Sequence, residues 1–324
     1  MKRIGVFTSG GDSPGMNAAI RAVVRTSVYY GIEVIGIRRG YEGLINGDFI
    51  KLETKDVANI IQKGGTILKT MRSDEFLTKE GREKAYLNLK SWSIDRLIAI
   101  GGDGTFNGAN VFLGEYPDIK MVGLPGTIDN DLVGTDFTIG YDTALNTVID
   151  AVDKVRDTAD SHNRLFIIEV MGKDAGFIAL RAGIGCGAEA ILVPESDYYS
   201  DHLIEKLNDG RKRQKLSSIV LVAEGNKSGG AFEIAERVKD NCIDYDTRVL
   251  VLGHIQRGGS PTCMERVRAS QLGNEAVNSL LRGESGVMIG IVNKDFCYTP
   301  FISAVKHHDK MNQHLLDLAE ILSL

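Results

Sequence analysis

No stretch of this sequence approaches the ~20 consecutive apolar residues that a membrane-spanning helix needs. Met1-Lys2-Arg3 is basic, but the apolar run 4–7 is too short for a signal-peptide core and passes straight into Ser9-Gly10-Gly11-Asp12. A cytoplasmic protein with no membrane partner is expected. Cysteine is sparse as well: Cys186, Cys242, Cys263 and Cys297 form no C-x-x-C pair and have no histidine at ligand spacing, which argues against a disulfide framework or a zinc site. Six prolines and one tryptophan exclude a proline-rich linker, and no 20–50-residue repeat is visible. A net charge of −5 supplies no general field for nucleic acid, so an anion site has to be a local cationic pocket.

What is abundant is glycine, 37 residues of 324, in a chain that is 43% hydrophobic and long enough for two domains. Short β-branched runs recur at 4–8, 34–37, 97–100, 121–124, 165–170, 190–193, 219–223, 249–252 and 287–291. Helical apolar spacing fills most of the intervals, which predicts an α/β fold with a largely parallel sheet. Within 18–29 the spacing predicts a helix with Ile20, Val23, Val24 and Val28 on its buried stripe and Arg21 and Arg25 on a neighbouring face. A second helix is expected from Asp142, buried through Leu145, Val148, Ile149, Val152 and Val155 and ending in the polar run 157–163. Asn46-Gly47 reads as a hairpin turn.

Four glycine-rich stretches carry the chemistry. Thr8-Ser9-Gly10-Gly11-Asp12-Ser13-Pro14-Gly15 follows the first strand, where adjacent glycines admit a phosphate and Pro14 suits the first turn of the next helix. A plain strand-to-helix turn is the alternative. The stretch is neither a Walker A loop nor a G-x-G-x-x-G dinucleotide fingerprint. Gly101-Gly102-Asp103-Gly104-Thr105 leaves Asp103 at a strand end with room for Mg²⁺ beside phosphate oxygens, or as a cap on the next helix. The same pattern occurs in NAD kinases and diacylglycerol kinases. In Pro125-Gly126-Thr127-Ile128-Asp129-Asn130-Asp131, an extended backbone would aim Thr127, Asp129 and Asp131 at one place, whereas an Asn/Asp-rich turn would not. Gly253-His254-Ile255-Gln256-Arg257-Gly258-Gly259 places His254 and Arg257 three apart, suited to a second anion, although a lone histidine is more often a hydrogen-bonded core residue.

In this order, and together with Met171-Gly172, these stretches resemble the bacterial ATP-dependent 6-phosphofructokinases over essentially the whole chain. The resemblance implies two similar three-layer α/β domains with largely parallel sheets and an active-site cleft between them. It places the ATP-binding domain at 1–139 with 257–303, and the sugar-phosphate domain at 140–256 with 304–324. The implied nucleotide contacts are Gly11, Tyr41, Arg72, Gly102, Asp103, Gly104, Thr105 and Gly108, with Asp103 as the Mg²⁺ ligand and Arg72 bridging phosphates. Asp129 matches the general base, Thr127 the hydrogen bond to the phosphoryl group in transit, and Asp131 a residue that organises the metal and the base. Fructose 6-phosphate would meet Thr127, Ile128, Asp129, Met171, Gly172, Lys173, Glu224, His254 and Arg257. Arg164 and Arg248 would come from a neighbouring subunit, in this family usually within a homotetramer.

Lys173 departs from the arginine common after Met-Gly, which keeps the charge and loses the planar fork. In pyrophosphate-dependent relatives the positions of Gly104 and Gly126 are typically Asp and Lys, so two glycines favour ATP. A catalytically dead nucleotide sensor is disfavoured by the intact Arg72, Asp103, Thr127 and Asp129. Positions matching Arg21, Arg25, Arg156, Glu189, Arg213 and Lys215 form an effector site for ADP or phosphoenolpyruvate in the family. One further basic position falls on Thr54 here.

Overall fold

A computed structural model describes residues 3–196, 198–213, 217–241, 245–306 and 311–323, with the backbone alone at 198–201. In chain order the elements are β1 (Arg3–Thr8), α1 (Met16–Tyr29), β2 (Glu33–Ile37), α2 (Gly40–Asn46), β3 (Phe49–Leu52), α3 (Lys79–Ser91), β4 (Arg96–Gly101), α4 (Asp103–Glu115), β5 (Lys120–Thr127), β6 (Ile139–Gly140) and α5 (Tyr141–His162). There follow β7 (Arg164–Val170), α6 (Phe177–Gly185), β8 (Ala190–Leu192), α7 (Tyr198–Lys212), β9 (Ser218–Ala223), α8 (Ala231–Asn241), β10 (Asp246–Val251), α9 (Cys263–Arg282), β11 (Val287–Val292), β12 (Asp295–Pro300) and α10 (Gln313–Leu322). The expected α/β class is what the chain adopts. Two compact units emerge: Met1–Ile128 with Leu132–Thr143 and Arg257–Lys306, and Asp129–Asp131 with Ala144–Gln256 and His307–Leu324.

The larger unit is built on a sheet in the order β12-β11-β5-β4-β1-β2-β3, with β6 alongside β5. The pairs within β11-β5-β4-β1-β2 are parallel, and β3 and β12 close the two margins antiparallel. Parallel strands are covered on both faces, which is why they read as unbroken apolar runs. One face packs α1 and α9 through Ile20, Val23, Val24, Leu272, Ala276 and Leu280. The other packs α2, α3 and α4 through Leu44, Leu89, Phe106 and Phe112. The smaller unit holds an all-parallel sheet, β10-β7-β9-β8. Leu203 and Leu207 of α7 and Ile234 and Val238 of α8 cover one face of it. α6 lies against the opposite side, where a methyl added at Gly183 would sit 2.5 Å from Ile191.

Four local expectations are corrected. Val28 is exposed, because α1 ends in a Schellman turn: Gly31 takes φ +70, Ile32 N–H donates to Ser27 O at 2.8 Å, and Ile32 takes the covering position instead. Asn46-Gly47 is not a hairpin turn. Gly47 (φ +66) ends α2 with Asp48 N–H on Gly43 O at 2.9 Å, so the left-handed conformation serves a helix end. Pro14 lies ahead of the helix, since α1 starts at Met16 behind a left-handed Gly15 (φ +105) whose missing Cβ makes room for Glu265 and Ile139. The extended backbone expected through Asp131 stops at Thr127: the chain bends at Ile128 and Asp129, and Asn130 is left-handed (φ +54), so strict alternation of side chains is lost.

Candidate active site

In the larger unit β5, β4 and β1 are adjacent and parallel, so their carboxyl ends deliver three of the motif stretches to one edge of the sheet. This is where ligands gather in open α/β folds. The ends are laced together: Ser9 N–H donates to Ile100 O at 2.9 Å and Thr105 Oγ1 to Ser9 O at 3.3 Å. Gly101 is forced by this lacing, since a Cβ there would lie 2.3 Å from Thr105 Oγ1 and 2.5 Å from Ser9 O. Gly102 caps α4 without a side-chain hydrogen bond, leaving the first N–H groups of a 13-residue helix open to an anion. Asp103 does not cap its helix. It is half-buried, hydrogen-bonds to no described residue, and stands between Gly102 and Gly104, where an added Cβ would meet nothing.

Two supports hold this edge. Tyr41 donates its hydroxyl to Thr105 O at 2.5 Å, stacks on Phe76 with centroids 3.9 Å apart, and has its ring under Gly108, where a Cβ would approach within 3.2 Å. Burial raises the phenol's pKa, so Tyr41 acts as a neutral prop beneath α4. Thr70 donates to Gly10 O at 2.6 Å, which ties the segment carrying the exposed Arg72 to the first glycine loop. Arg257 Nη1 donates to Asp12 O at 3.3 Å and fills the space beside Gly11, where a Cβ would come within 2.4 Å of it. At the end of β5, Thr127 O accepts from Thr138 Oγ1 at 2.6 Å, and Asp129 and Asp131 follow as buried carboxylates.

In the smaller unit the carboxyl ends of β7 and β9 hold a second group. Gly172 (φ +145) and Lys173 (φ +56) make a tight turn in which Lys173 N–H donates to Glu224 Oε1 at 2.6 Å. Gln256, fully buried, accepts from Met171 N–H at 3.2 Å and donates to Gly253 O at 3.0 Å, joining this turn to the loop that presents the exposed His254. Arg164 and Arg248 are not with them. Both bind Asp246 Oδ2, at 2.8 and 3.0 Å, at the amino ends of β7 and β10. At ~3.3 Å per residue, Arg164 lies roughly 20 Å along β7 from Met171.

The family model for phosphofructokinase matches residues 3–280. The chain belongs to the phosphofructokinase family. It is 56% identical over its whole length to ATP-dependent 6-phosphofructokinase 1 of Thermus thermophilus, covering 100% of that protein. It is 54% identical, with 100% and 99% coverage, to ATP-dependent 6-phosphofructokinase 2 of Bacteroides thetaiotaomicron. Among solved structures, phosphofructokinase from Saccharomyces cerevisiae superposes with TM-score 0.89 at 37% identity. All of this chain is covered there, but it spans only 48% of the yeast chain. A pyrophosphate-dependent phosphofructokinase from Marinobacter aquaeolei shares the fold, with TM-score 0.83 at 23% identity over 97% of this chain and 86% of that one.

The residues expected at a phosphofructokinase effector site are divided between the units. Arg21 and Arg25 lie on α1, where burial and then the neighbouring Arg25 depress the Arg21 pKa. Arg156 holds the carbonyls of Cys186 and Gly187, and Glu189 is buried with Oε2 accepting from Ile219 N–H. Arg213 ends α7 with its N–H on Asp209 O and Gly210 O, and Lys215 lies outside the described residues. Two residues of structural weight escaped the motif reading, Gln256 and Glu265. Glu265 is buried with its Oε2 3.3 Å from both Thr143 N and Thr143 Oγ1, and burial raises its pKa to about 7. Gln256 lies inside the fourth motif stretch and Glu265 just after it, but only their distant partners reveal what they hold.

Proposed function

We propose that the chain transfers the γ-phosphoryl group of ATP to the 1-hydroxyl of fructose 6-phosphate, giving fructose 1,6-bisphosphate and ADP in the cytoplasm. The observation that carries this reading is Asp103, an open carboxylate between two glycines at the bare amino end of α4, beside the glycine loop after β1. N–H groups at a helix start attract phosphate. Gly11, Gly102, Gly104 and Thr105 cradle the nucleotide's phosphates, and the exposed Arg72 reaches over them as charge moves to the leaving oxygen.

Among the described residues no group of three or more His, Cys, Asp or Glu could hold a metal by itself. A single unpartnered carboxylate fits Mg²⁺, which keeps most of its shell as water and phosphate oxygen. Asp103 would hold that ion, whose role when bound is to neutralise charge between the phosphates. Asp129 takes the proton from the sugar's 1-hydroxyl, Thr127 hydrogen-bonds the group in transit, and Asp131 orients both. Met171, Gly172, Lys173, Glu224, His254 and Arg257 bind the sugar phosphate, with Ile128 as an apolar neighbour. Lys173 contributes a point charge rather than a fork. Arg164 and Arg248, at the far end of their strands, serve the pocket of a neighbouring subunit in a homotetramer. Arg21, Arg25, Arg156, Glu189, Arg213 and Lys215 take ADP or phosphoenolpyruvate as effector.

ATP rather than pyrophosphate is favoured by the empty space at Gly104 and by Gly126, where a Cβ would already lie 2.9 Å from Met16 Cε. Parallel assays of fructose 6-phosphate with ATP and with pyrophosphate test the reading. Turnover is expected with ATP alone and should fall by several orders of magnitude in Asp129→Ser with sugar-phosphate affinity kept. Pyrophosphate turnover, or an active Asp129→Ser, refutes it.

A further inference from the structure

The larger unit contains a cavity away from the motif loops. It has a volume of about 450 Å³ and lies between α9, the segment at Asp136-Phe137 and the β11–β12 hairpin. That size lies in the range of small-molecule pockets. Its walls are largely apolar, from Phe137, Leu272, Ile291 and Phe296, and its charges are two cations, Arg268 and Lys294, against one carboxylate, Asp136, whose Oδ2 is engaged by Asn293 N–H. We propose that this cavity is a ligand site for a small flat organic anion, an aromatic or unsaturated body carrying a carboxylate.

Three observations point to this chemistry. The guanidinium of Arg268 lies 3.9 Å over the Phe137 ring, which fixes its plane and leaves it ready for a planar acid. Its Nη1 is shielded from water and has no acceptor among the described residues, a state that costs free energy and that a carboxylate can relieve after a small in-plane rotation of the guanidinium. The third is the hairpin itself. Asn293 (φ +50) and Lys294 (φ +77) form a two-residue turn between the paired Val292 and Asp295, and Asn293 N–H is pinned to Asp136 Oδ2 at 2.8 Å. Glycine suits the second position of such a turn, so a lysine held there is strained backbone keeping a cation at the rim. Inorganic phosphate would satisfy the cations and leave four apolar walls wet, which is why the body of the ligand has to be apolar.

The test is calorimetric titration of the full-length protein with 1-naphthoate. A non-hydrolysable ATP analogue and fructose 6-phosphate are present at saturation, so that substrate pockets cannot take up the probe. One saturable site per chain is expected. Affinity should fall about tenfold or more for the neutral 1-naphthamide and for Arg268→Met, because a charge-assisted hydrogen bond is lost in each. Lys294→Gly suits the turn better than lysine and removes the second cation without threatening the fold, and it should weaken binding severalfold. The proposal is overturned by absence of saturable binding, by equal affinity for the amide, by displacement of the probe with inorganic phosphate at similar concentration, or by wild-type affinity in both variants.

Discussion

Glu265→Gln should leave the larger unit as stable as wild type near pH 4 and more stable at pH 8. Glu265 begins α9 behind its cap Thr262, only 2% of it is exposed, and its carboxylate has two long 3.3 Å contacts with Thr143 to offset the loss of water. Burial, with a smaller contribution from Asp142, raises its pKa from 4.5 to about 7. The folded protein therefore binds this proton more tightly than the unfolded chain. The stabilisation is complete below pH 4.5, drains away as pH rises towards 7, and changes no further above it. At about 1.4 kcal/mol per unit of pKa difference, the gap at pH 8 comes to about 3 kcal/mol. In the Glu265→Gln variant the carboxylate is gone and the drain with it. The only tryptophan, Trp92, packs edge-on against Phe49 in the same unit, so its emission reports unfolding there. Urea titrations followed at Trp92 should show coincident midpoints at pH 4 and a variant midpoint about 1 M higher at pH 8. A difference between the two proteins that does not change with pH would refute the buried-carboxyl argument.

Gly101→Ala should destabilise by about 1–3 kcal/mol, because its Cβ meets backbone at Ser9 and the Thr105 hydroxyl, whereas Gly104→Ala should be neutral in the same thermal melts. Gly104→Asp should raise the apparent KM for ATP and leave that for sugar phosphate nearly unchanged, and equal effects on both would remove Gly104 from the nucleotide site. Replacing Arg164 should weaken sugar-phosphate binding, and hybrids of that variant with an Asp129 variant should recover some activity. Additive loss in the hybrids would show that each site is built from a single chain.

The central strands were readable because parallel strands buried on both faces leave long apolar runs. β3 and β12 were not, because margin strands mix Lys51 or Asp295 with apolar residues and lose that signature. The phosphate loops were readable for a different reason. Gly101 answers a local demand of backbone approach, so the residue type itself carries the information. Gln256 and Glu265 answer to partners 85 and 122 residues away, and nothing in their neighbourhood announces such contacts. Asn46-Gly47 misled because hairpins and helix ends both use the left-handed region, and only α2 ahead of it decides between them.

Each sheet also ends in strands that are poor templates for another strand. β3 has four residues and exposes Lys51, bound to Glu33 at 2.8 Å, and β12 ends at Pro300, which has no N–H to donate. In the smaller unit β8 has three residues, and β10 opens with the charges of Asp246 and Arg248. Lengthening by a foreign strand is therefore disfavoured at both margins of the larger sheet and at the β8 margin of the smaller one. The crowded unfolded or half-folded chain is thereby given few ladders to climb towards a fibre.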